Sequence, residues 1–323
     1  MSDRKPFLNL VNERVVVLDG AMGSALQEIE LDLDKDWMGQ ENMSEVLNLS
    51  RPDVIESIHK SFLEIGCDAV QANSFGGNRI VMAEAEMEDR AYEVSRRAAE
   101  IARSACDAYE TPDSPRYAIA SVGPGTKIAS FGNVDWDTME ASYYDNVKGV
   151  LDGGADVLLS ETAQDLLQIK VFIAAARRAF DDTGRKVPVM VQASFDLNNG
   201  ANMLTGPDPE TFVATFVPFY DSGEIDVLGL NCAYGPQELS EAVRTIAAHW
   251  PGPVSVVPNA GLPIMVNGQS QFPLQPHDFA AGVERFVREV GVNIVGGCCG
   301  TKVQHLKALI DRLGQNAPAT ATA

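Results

Sequence analysis

The strongest constraint on the fold is a strand-then-helix pattern that repeats along almost the whole chain. Short apolar runs predict β-strands at 14–19, 68–72, 117–122, 156–160, 187–193, 226–230, 254–257 and 293–295. Segments with apolar residues at helical spacing predict helices at 52–65, 83–109, 139–152, 163–180, 209–219, 237–249, 277–290 and 303–313. Because the strands are almost continuously apolar, they predict a parallel sheet that is covered by helices.

Eight such units in one chain predict an α/β fold with a single (β/α)8 TIM barrel over residues 1–313. An open doubly wound sheet is the rival architecture, but no Gly-x-Gly-x-x-Gly motif follows the first strand. The regular repeat therefore favours a closed barrel. Residues 314–323 are rich in Ala, Thr and Pro, which predicts a disordered C-terminal tail.

Charge and cysteine content narrow the class of protein. The 323 residues include 25 Lys+Arg and 45 Asp+Glu, a net charge of −20. This acidity argues against nucleic acid or an anionic membrane as a partner, since both require a basic surface. The sequence shows no signal peptide and no apolar run of membrane-spanning length, and five cysteines in a long chain are typical of a reducing compartment. We therefore expect a cytoplasmic protein.

Active sites of TIM barrels lie at the C-terminal ends of the strands. Here those ends carry polar and sulfur-containing residues, namely Asp19, Asn73, Glu161, Ser194, Asn231, Cys232, Asn259, Cys298 and Cys299. Three of the five cysteines fall at the ends of the sixth and eighth strands, which can converge on one point. We expect the other two, Cys67 and Cys106, to be small buried apolar residues.

The most specific motif is Gly296-Gly297-Cys298-Cys299-Gly300. A pair of core cysteines or a vicinal disulfide is the alternative interpretation. The flanking glycines allow the backbone to pass closely, so that both sulfurs can turn toward one centre. With Cys232, three thiolates can bind zinc and leave its fourth position open, as catalytic zinc sites do. The histidines all fall in or at the start of predicted helices and are not expected to be ligands: His59, His249, His277 and His305.

Electrostatics indicates what such a site does. Zinc with three thiolates carries a net charge of about −1, so it activates water poorly but holds an incoming thiolate whose sulfur stays nucleophilic. Asp19 and Glu161 could bind an ammonium group, although each could also be a solvated or salt-bridged carboxylate. Exposed N–H groups of Gly20-Ala21-Met22-Gly23 could bind a carboxylate. Together these features indicate an amino-acid thiol whose sulfur attacks an electrophilic carbon.

Four segments carry a family resemblance: 17–23, 229–232, 258–263 and 293–301. They resemble the homocysteine S-methyltransferase family, in particular the homocysteine-binding module of cobalamin-dependent methionine synthase. The resemblance covers roughly 12–313, with the motifs in the same order. It implies a zinc-dependent TIM barrel that methylates homocysteine to methionine, with the zinc ligands Cys232, Cys298 and Cys299. It also implies a set of substrate-binding residues: Asp19 and Glu161 for the ammonium, Gly20, Ala21, Met22 and Gly23 for the carboxylate, and Asn231 and Asn259 at the metal end.

The methyl donor is less constrained by the sequence. Methionine synthases continue into folate, cobalamin and reactivation modules, for which 323 residues leave no room. We therefore expect a stand-alone module that takes its methyl group from methylcobalamin on a separate corrinoid protein. Segments 71–78 and 123–127 depart from the family pattern, and both lie on the donor side of the predicted site.

Three other readings stay open. One is direct transfer from a small onium donor (betaine, S-methylmethionine or dimethylsulfoniopropionate) that aromatic faces would hold. Its candidate residues, which could equally be ordinary loop packing, are Trp37, Phe75, Phe131, Trp136 and Tyr234. Another is an enzyme that methylates a different thiol or demethylates a growth substrate. The third is a non-catalytic zinc-binding subunit, which the presence of all three predicted ligands disfavours.

Overall fold

The computed structural model describes residues 4–41, 43–266 and 269–314. In this part of the chain the strands are β1 Val16–Val17, β2 Ala69–Ala72, β3 Tyr117–Val122, β4 Val157–Ala163, β5 Val189–Ala193, β6 Val227–Asn231, β7 Val254–Val257, β8 Ile264–Val266, β9 Gln269–Gln271 and β10 Ile294–Val295. The α-helices are α1 Phe7–Glu13, α2 Met22–Leu26, α3 Leu47–Ser50, α4 Pro52–Glu64, α5 Arg79–Met82, α6 Ala91–Tyr109, α7 Trp136–Asp152, α8 Leu166–Thr183, α9 Pro209–Asp221, α10 Ser240–His249, α11 Pro276–Arg285 and α12 Val303–Leu313.

Eight of these strands form one parallel sheet in the order β1-β10-β7-β6-β5-β4-β3-β2. The first and last strands of that order meet through a single parallel bridge between Leu18 and Ala69, which brings the sheet round into a barrel. The predicted TIM barrel is therefore confirmed. Since the strands are parallel and helices connect them, all the loops that follow strands lie at one end of the barrel.

The barrel interior and the helix–sheet interface are two separate apolar layers. The interior is filled by alternate strand residues, among them Leu18, Tyr117 and Met190, and all three are fully or almost fully buried. Helix α1, which the sequence pattern did not predict, adds Phe7 and Leu10 to this interior cluster and closes the N-terminal end of the barrel. The other strand faces pack against the outer helices in a larger cluster.

Every second barrel strand is preceded by a side chain that accepts the backbone N–H of a residue on the neighbouring strand. These pairs are Asp68 with Val17 (2.9 Å), Asp156 with Ala118 (2.8 Å), Asp226 with Val189 (2.8 Å) and Asn293 with Val254 (3.0 Å). The sequence pattern placed these four residues inside strands, and this was wrong by one residue each time. Their side chains cap the N-terminal edge of the sheet, so regular pairing begins at the next residue.

Other differences from the predicted elements lie in the connections. The predicted helix 83–109 is divided, because Glu86 takes a left-handed conformation (φ 56°) before α6 starts at Ala91. The long loop after β7 contains the β8–β9 hairpin, and α11 continues as a π-helical turn over Phe286–Val290. Among the described residues, no helix is long and apolar enough to cross a membrane. The predicted tail lies outside the described residues except for Gly314.

Candidate active site

A cavity of about 470 Å³ opens at the C-terminal ends of the barrel strands. Its wall carries cysteines together with acidic and amide side chains. Its lining includes Gly20, Ala21, Met22, Gly23, Glu45, Gln71, Phe75, Ser121, Glu161, Thr162, Cys232, Cys298 and Cys299. No Lys, Arg or His is among the described residues that line it. The cavity therefore offers acceptors and sulfur, and no cationic side chain.

The three predicted cysteine ligands come together at this cavity. The Sγ atoms of Cys232 and Cys299 are 3.8 Å apart, and those of Cys298 and Cys299 are 4.0 Å apart. All three sulfurs lie within 4.8 Å of one another. Cys67 and Cys106 are fully buried elsewhere, as predicted. The structure thus places the ends of the sixth and eighth barrel strands at one point.

Backbone hydrogen bonds hold the cysteine loops against each other. Cys232 follows β6 in a left-handed conformation (φ 63°), and its N–H donates to the carbonyl of Val257 at 3.0 Å. The N–H of Cys298 donates to the carbonyl of Pro258 at 2.8 Å, and the carbonyl of Cys299 accepts the N–H of Ala260 at 2.9 Å. The loop after β7 therefore bridges the two segments that carry the sulfurs.

Two of the glycines in the cysteine motif are required by close packing. A Cβ atom on Gly297 would overlap the side chain of Thr301, whose hydroxyl donates to the carbonyl of Cys298 at 2.6 Å. Gly300 has a left-handed backbone (φ 78°), and a Cβ there would overlap the ring of Phe272. Any other residue at these two positions would displace the cysteine loop.

The chemistry of the cluster fits a bound cation. Hydrogen bonds from the other two thiols lower the pKa of Cys232, and its thiolate raises the pKa of Cys298 and Cys299. The three thiols are thus electrostatically coupled, and a divalent ion would stabilise all three as thiolates. Sulfurs bound tetrahedrally at about 2.3 Å from zinc lie about 3.8 Å apart, close to the spacing here. The buried Oδ1 of Asn259, whose side chain also hydrogen-bonds to Cys232, has no donor among the described residues, which suits a place beside a cation.

Glu161 faces the cavity from the end of β4 and is nine-tenths buried. Its Oε1 accepts the hydroxyl of Ser121 at 2.5 Å, and its Oε2 accepts the amide of Asn231 at 2.9 Å. Burial raises the pKa of Glu161 to about 7, although these hydrogen bonds favour the ionised form. Within the described part of the chain it has no ion-pair partner, so a cationic ligand would meet an uncompensated carboxylate.

Asp19 is the second acidic residue of this region. Its two carboxylate oxygens accept the backbone N–H and the side-chain amide of Gln71, both at 3.0 Å. Burial raises the pKa of Asp19 to about 7, and the charge of Glu161 contributes to the increase. Gln71 lines the cavity, whereas Asp19 is not among the described lining residues, so Asp19 lies behind the wall that Gln71 forms.

The residues Gly20 to Gly23, predicted to form a turn, lie at the beginning of a short helix. Helix α2 starts at Met22, and the N–H of Ala21 donates to Thr301 at 3.3 Å. The first residues of a helix have N–H groups without acceptors inside that helix. All four residues line the cavity, so Met22 and Gly23 present the helix start to it.

Several polar residues of the site were not predicted from the sequence. Gln71, Ser121 and Thr162 contact the two carboxyl groups, and buried Glu45 accepts the N–H of Gly76 at 2.6 Å from the far side of the cavity. A usable signal existed for Gln71 and Ser121, because each is a polar residue in an otherwise apolar strand. Glu45 gave no such signal, since it lies in a short 3-10 helix, Ser44–Val46, within the long segment after β1.

The aromatic candidates do not form a cage. Among the described residues that line the cavity, the only one of the five predicted aromatics is Phe75. Trp37 lines a neighbouring cavity, and Phe131 and Trp136 are exposed outside the lining. The hydroxyl of Tyr234 donates to Asp196 at 2.7 Å and its ring is buried.

Comparison with known proteins gives a consistent family match. A family model described as homocysteine S-methyltransferase matches residues 16–313. Methionine synthase of Mycobacterium leprae (strain TN) is 41% identical over 300 residues, which are 93% of this chain and 24% of that protein. Methionine synthase of Mycobacterium tuberculosis (strain ATCC 25618 / H37Rv) is 40% identical over 300 residues, or 93% and 25% of the two chains. The chain thus spans about a quarter of the length of these curated relatives.

Solved structures share the fold. The homocysteine methyltransferase MmuM from Escherichia coli in its metallated form superposes with a TM-score of 0.72 at 20% identity, covering 94% of this chain and 98% of that one. Its oxidized form gives a TM-score of 0.68 at 20% identity, with 92% and 96% covered. At this identity the likeness supports the barrel fold alone.

Proposed function

This chain belongs to the homocysteine S-methyltransferase family, and from that premise we propose that it methylates the sulfur of homocysteine in a zinc-dependent reaction that forms methionine. One observation carries the proposal: three thiols and an unpaired buried carboxylate face the same cavity. Sulfur ligands and a cation acceptor in one cavity match the thiol and the ammonium group of an amino-acid thiol. Three thiols also favour a reducing compartment, so we place the protein in the cytoplasm.

The amino-acid end of homocysteine binds on the acidic side in this proposal. Glu161 accepts the ammonium group, and Asp19 adds negative charge close by. The N–H groups of Met22 and Gly23 bind the carboxylate at the start of α2. No Lys, Arg or His lines the described part of the cavity, so backbone N–H groups are the donors left for the carboxylate.

The sulfur end binds at the cysteine cluster. Cys232, Cys298 and Cys299 would hold zinc, and the bound ion supplies the positive charge that keeps the homocysteine sulfur deprotonated at neutral pH. The thiol proton leaves to solvent, and the thiolate attacks the methyl carbon of the donor. A sulfur–carbon bond forms, and the bond from that carbon to its carrier breaks with the electron pair staying on the carrier. The acidic residues keep the amino-acid end of homocysteine bound during this step.

For the methyl donor we propose methylcobalamin on a separate corrinoid protein. Within the described part of the chain, every exposed large hydrophobic side chain lies in the segment that follows a barrel strand or at the first residue of the next helix, at the end of the barrel where the cavity opens: Leu33, Met38, Phe75, Phe131, Trp136, Leu204, Leu262, Ile264 and Met265. Apolar residues exposed around a cavity mouth are typical of surfaces that contact another macromolecule. The lack of an aromatic cage among the described lining residues also argues against a small onium donor.

Direct transfer from a small onium donor stays the second candidate because of one observation. Glu45 is a buried carboxyl in the cavity wall with no ion-pair partner in the described chain, and Phe75 directly precedes Gly76, whose N–H donates to Glu45. A carboxylate and one aromatic face are a minimal receptor for a methylated cation.

The deciding assay supplies homocysteine and zinc-loaded protein with betaine, S-methylmethionine, dimethylsulfoniopropionate or methylcobalamin in separate reactions. We expect methionine to form with methylcobalamin and not with the three onium compounds. Rapid methionine formation from any onium compound without a corrinoid would replace our donor with the second candidate. No methionine from any of the four would contradict the proposed reaction.

A further inference from the structure

Strand β4 contains an irregularity at the residue that faces the substrate cavity. Ser160 pairs with Val191 and Ala163 pairs with Ala193, so β4 has one more residue than β5 between these two positions. Thr162, inside this bulge, has a left-handed backbone (φ 54°), which is uncommon for a β-branched residue. Such bulges change the direction of a side chain next to an active site, and here the side chain beside the bulge is Glu161.

Asn231 lies at the end of β6. All the hydrogen bonds of ordinary length that are described for its side chain are made with this bulge. Its Oδ1 accepts the N–H of Thr162 at 2.7 Å. Its Nδ2 donates to Oε2 of Glu161 at 2.9 Å and to Oγ1 of Thr162 at 2.8 Å. Asn231 is 1% exposed, so water does not compete with these bonds.

The hydrogen-bonding capacity of the Asn231 amide is therefore already used. An amide NH₂ has two hydrogens, and Glu161 and Thr162 take both. The separation from its Nδ2 to the Sγ of Cys298 is 4.0 Å, the limit of any N–H to sulfur contact. The amide is thus oriented by the bulge and has no hydrogen left to donate to a substrate or a thiolate.

We propose that Asn231 is a positioning residue that holds the β4 bulge and so aims Glu161 into the cavity. Cys232 directly follows Asn231 and, like Thr162, has a left-handed backbone. One segment therefore fixes both the carboxylate of Glu161 and a sulfur of the cluster. The spacing between the two ends of the site is set by this contact. This inference rests on the proposed homocysteine function for its ligand, and on the described hydrogen bonds for its geometry.

The test compares wild type with Asn231→Ala, using Asn259→Ala as the control at another buried asparagine near the cysteine cluster. Three quantities are measured: hydrogen exchange of the segment 157–163, zinc per chain, and calorimetric affinity for 2-aminobutyrate, which is homocysteine without its sulfur. For Asn231→Ala we expect exchange at the bulge to become faster and affinity to fall by about tenfold or more, as for a lost bond to a charged group. Zinc should stay near one per chain. Exchange at the bulge should not change in Asn259→Ala.

A conservative variant gives a second readout. Asn231→Asp keeps an acceptor for the N–H of Thr162 but places a second carboxylate against Glu161. Like charges at this distance raise the pKa of a carboxyl group, so the affinity for 2-aminobutyrate should reach its maximum at a higher pH than in wild type. A purely structural role for Asn231 would lower stability without moving this pH profile.

The outcomes separate this inference from the proposed function. Loss of zinc from Asn231→Ala with unchanged exchange and unchanged affinity would show that Asn231 serves the metal, which overturns the inference. An unmoved pH profile in Asn231→Asp would also count against it. Wild-type protein that does not bind 2-aminobutyrate, combined with faster exchange in Asn231→Ala, would overturn the homocysteine site and leave the positioning role of Asn231 in place.

Discussion

The two ends of the barrel differ in whether their buried carboxyl groups have cationic partners. At the N-terminal end, the buried Asp68 forms an ion pair with Arg14 at 2.6 Å and accepts the N–H of Val17 at 2.9 Å. Asp156 is bonded to Arg4 and Arg103 in a similar network. At the C-terminal end, Glu161 is also buried and has hydrogen bonds, but no cationic partner within the described residues.

The backbone shows the same contrast. Left-handed residues that are not glycine occur at the C-terminal end in Thr162, Cys232 and Ala233, all beside the cavity. At the N-terminal end, side chains such as Asp226 extend the regular sheet by capping it. Strain and uncompensated charge lower stability and persist where a ligand uses them. The N-terminal end of this barrel therefore maintains the fold, and the C-terminal end is arranged for binding.

The largest effect is expected from a variant that removes one sulfur of the cysteine cluster. Cys298→Ala should abolish both zinc binding and methionine formation, since two thiolates hold the ion far less tightly than three. The melting temperature should change little, because the barrel interior rather than a metal stabilises this fold. Metal analysis, activity and thermal unfolding measure the three effects.

The matched control for this variant is Cys106→Ala. Cys106 is fully buried in α6 and belongs to the apolar layer outside the barrel. Its replacement should lower stability slightly and leave zinc content at the wild-type value. Full activity of metal-free Cys298→Ala protein would remove zinc from the mechanism.

The next largest effect is expected from a variant that removes the negative charge of Glu161. Glu161→Gln should raise the KM for homocysteine about 30-fold or more, because losing one member of a desolvated charge pair costs about 2–5 kcal/mol. The rate at saturating homocysteine should fall less. An unchanged KM would assign Glu161 a structural role.

The same variant should also increase stability without substrate. Burial raises the pKa of Glu161 from 4.5 to about 7, so the folded protein holds this proton more tightly than the unfolded chain does. Stability therefore falls as pH rises from the ordinary pKa to the raised one, and at pH 8 the cost is fully present. Removing the charge should raise the free energy of unfolding at pH 8 by about 1–3 kcal/mol, measured by urea denaturation.

The smallest effect on catalysis is expected at the other end of the barrel. Asp68→Asn should lower the free energy of unfolding by about 1–3 kcal/mol, because it weakens the bonds of a buried carboxylate to half-buried Arg14 and to the N–H of Val17. The KM for homocysteine should stay at the wild-type value. If Asp68→Asn and Glu161→Gln shifted stability in the same direction at pH 8, the contrast between the two ends would not hold.

The sequence pattern was sufficient for the architecture and for the sulfur side of the site. Apolar strands that alternate with amphipathic helices specify a parallel sheet covered on both faces, and the eight regular units favour its closure into a barrel. The cysteines could be placed for the same reason: each follows a strand, and strand ends meet at one end of a barrel. Their proximity, predicted from position alone, is confirmed by sulfur separations of 3.8 and 4.0 Å.

Tertiary structure alone decided the environment of the polar residues. In the sequence, Asp68 and Glu161 look alike, because each is a carboxyl group at the end of a strand. Whether such a group is paired depends on which side chains distant strands and loops bring within about 3 Å, and local pattern does not contain those distances. Asn231 illustrates this, because its role depends on a bulge in β4 some 70 residues earlier in the chain. Sequence thus determined which chemical groups stand at the mouth of the barrel, and the folded packing determined which of them remain free to bind.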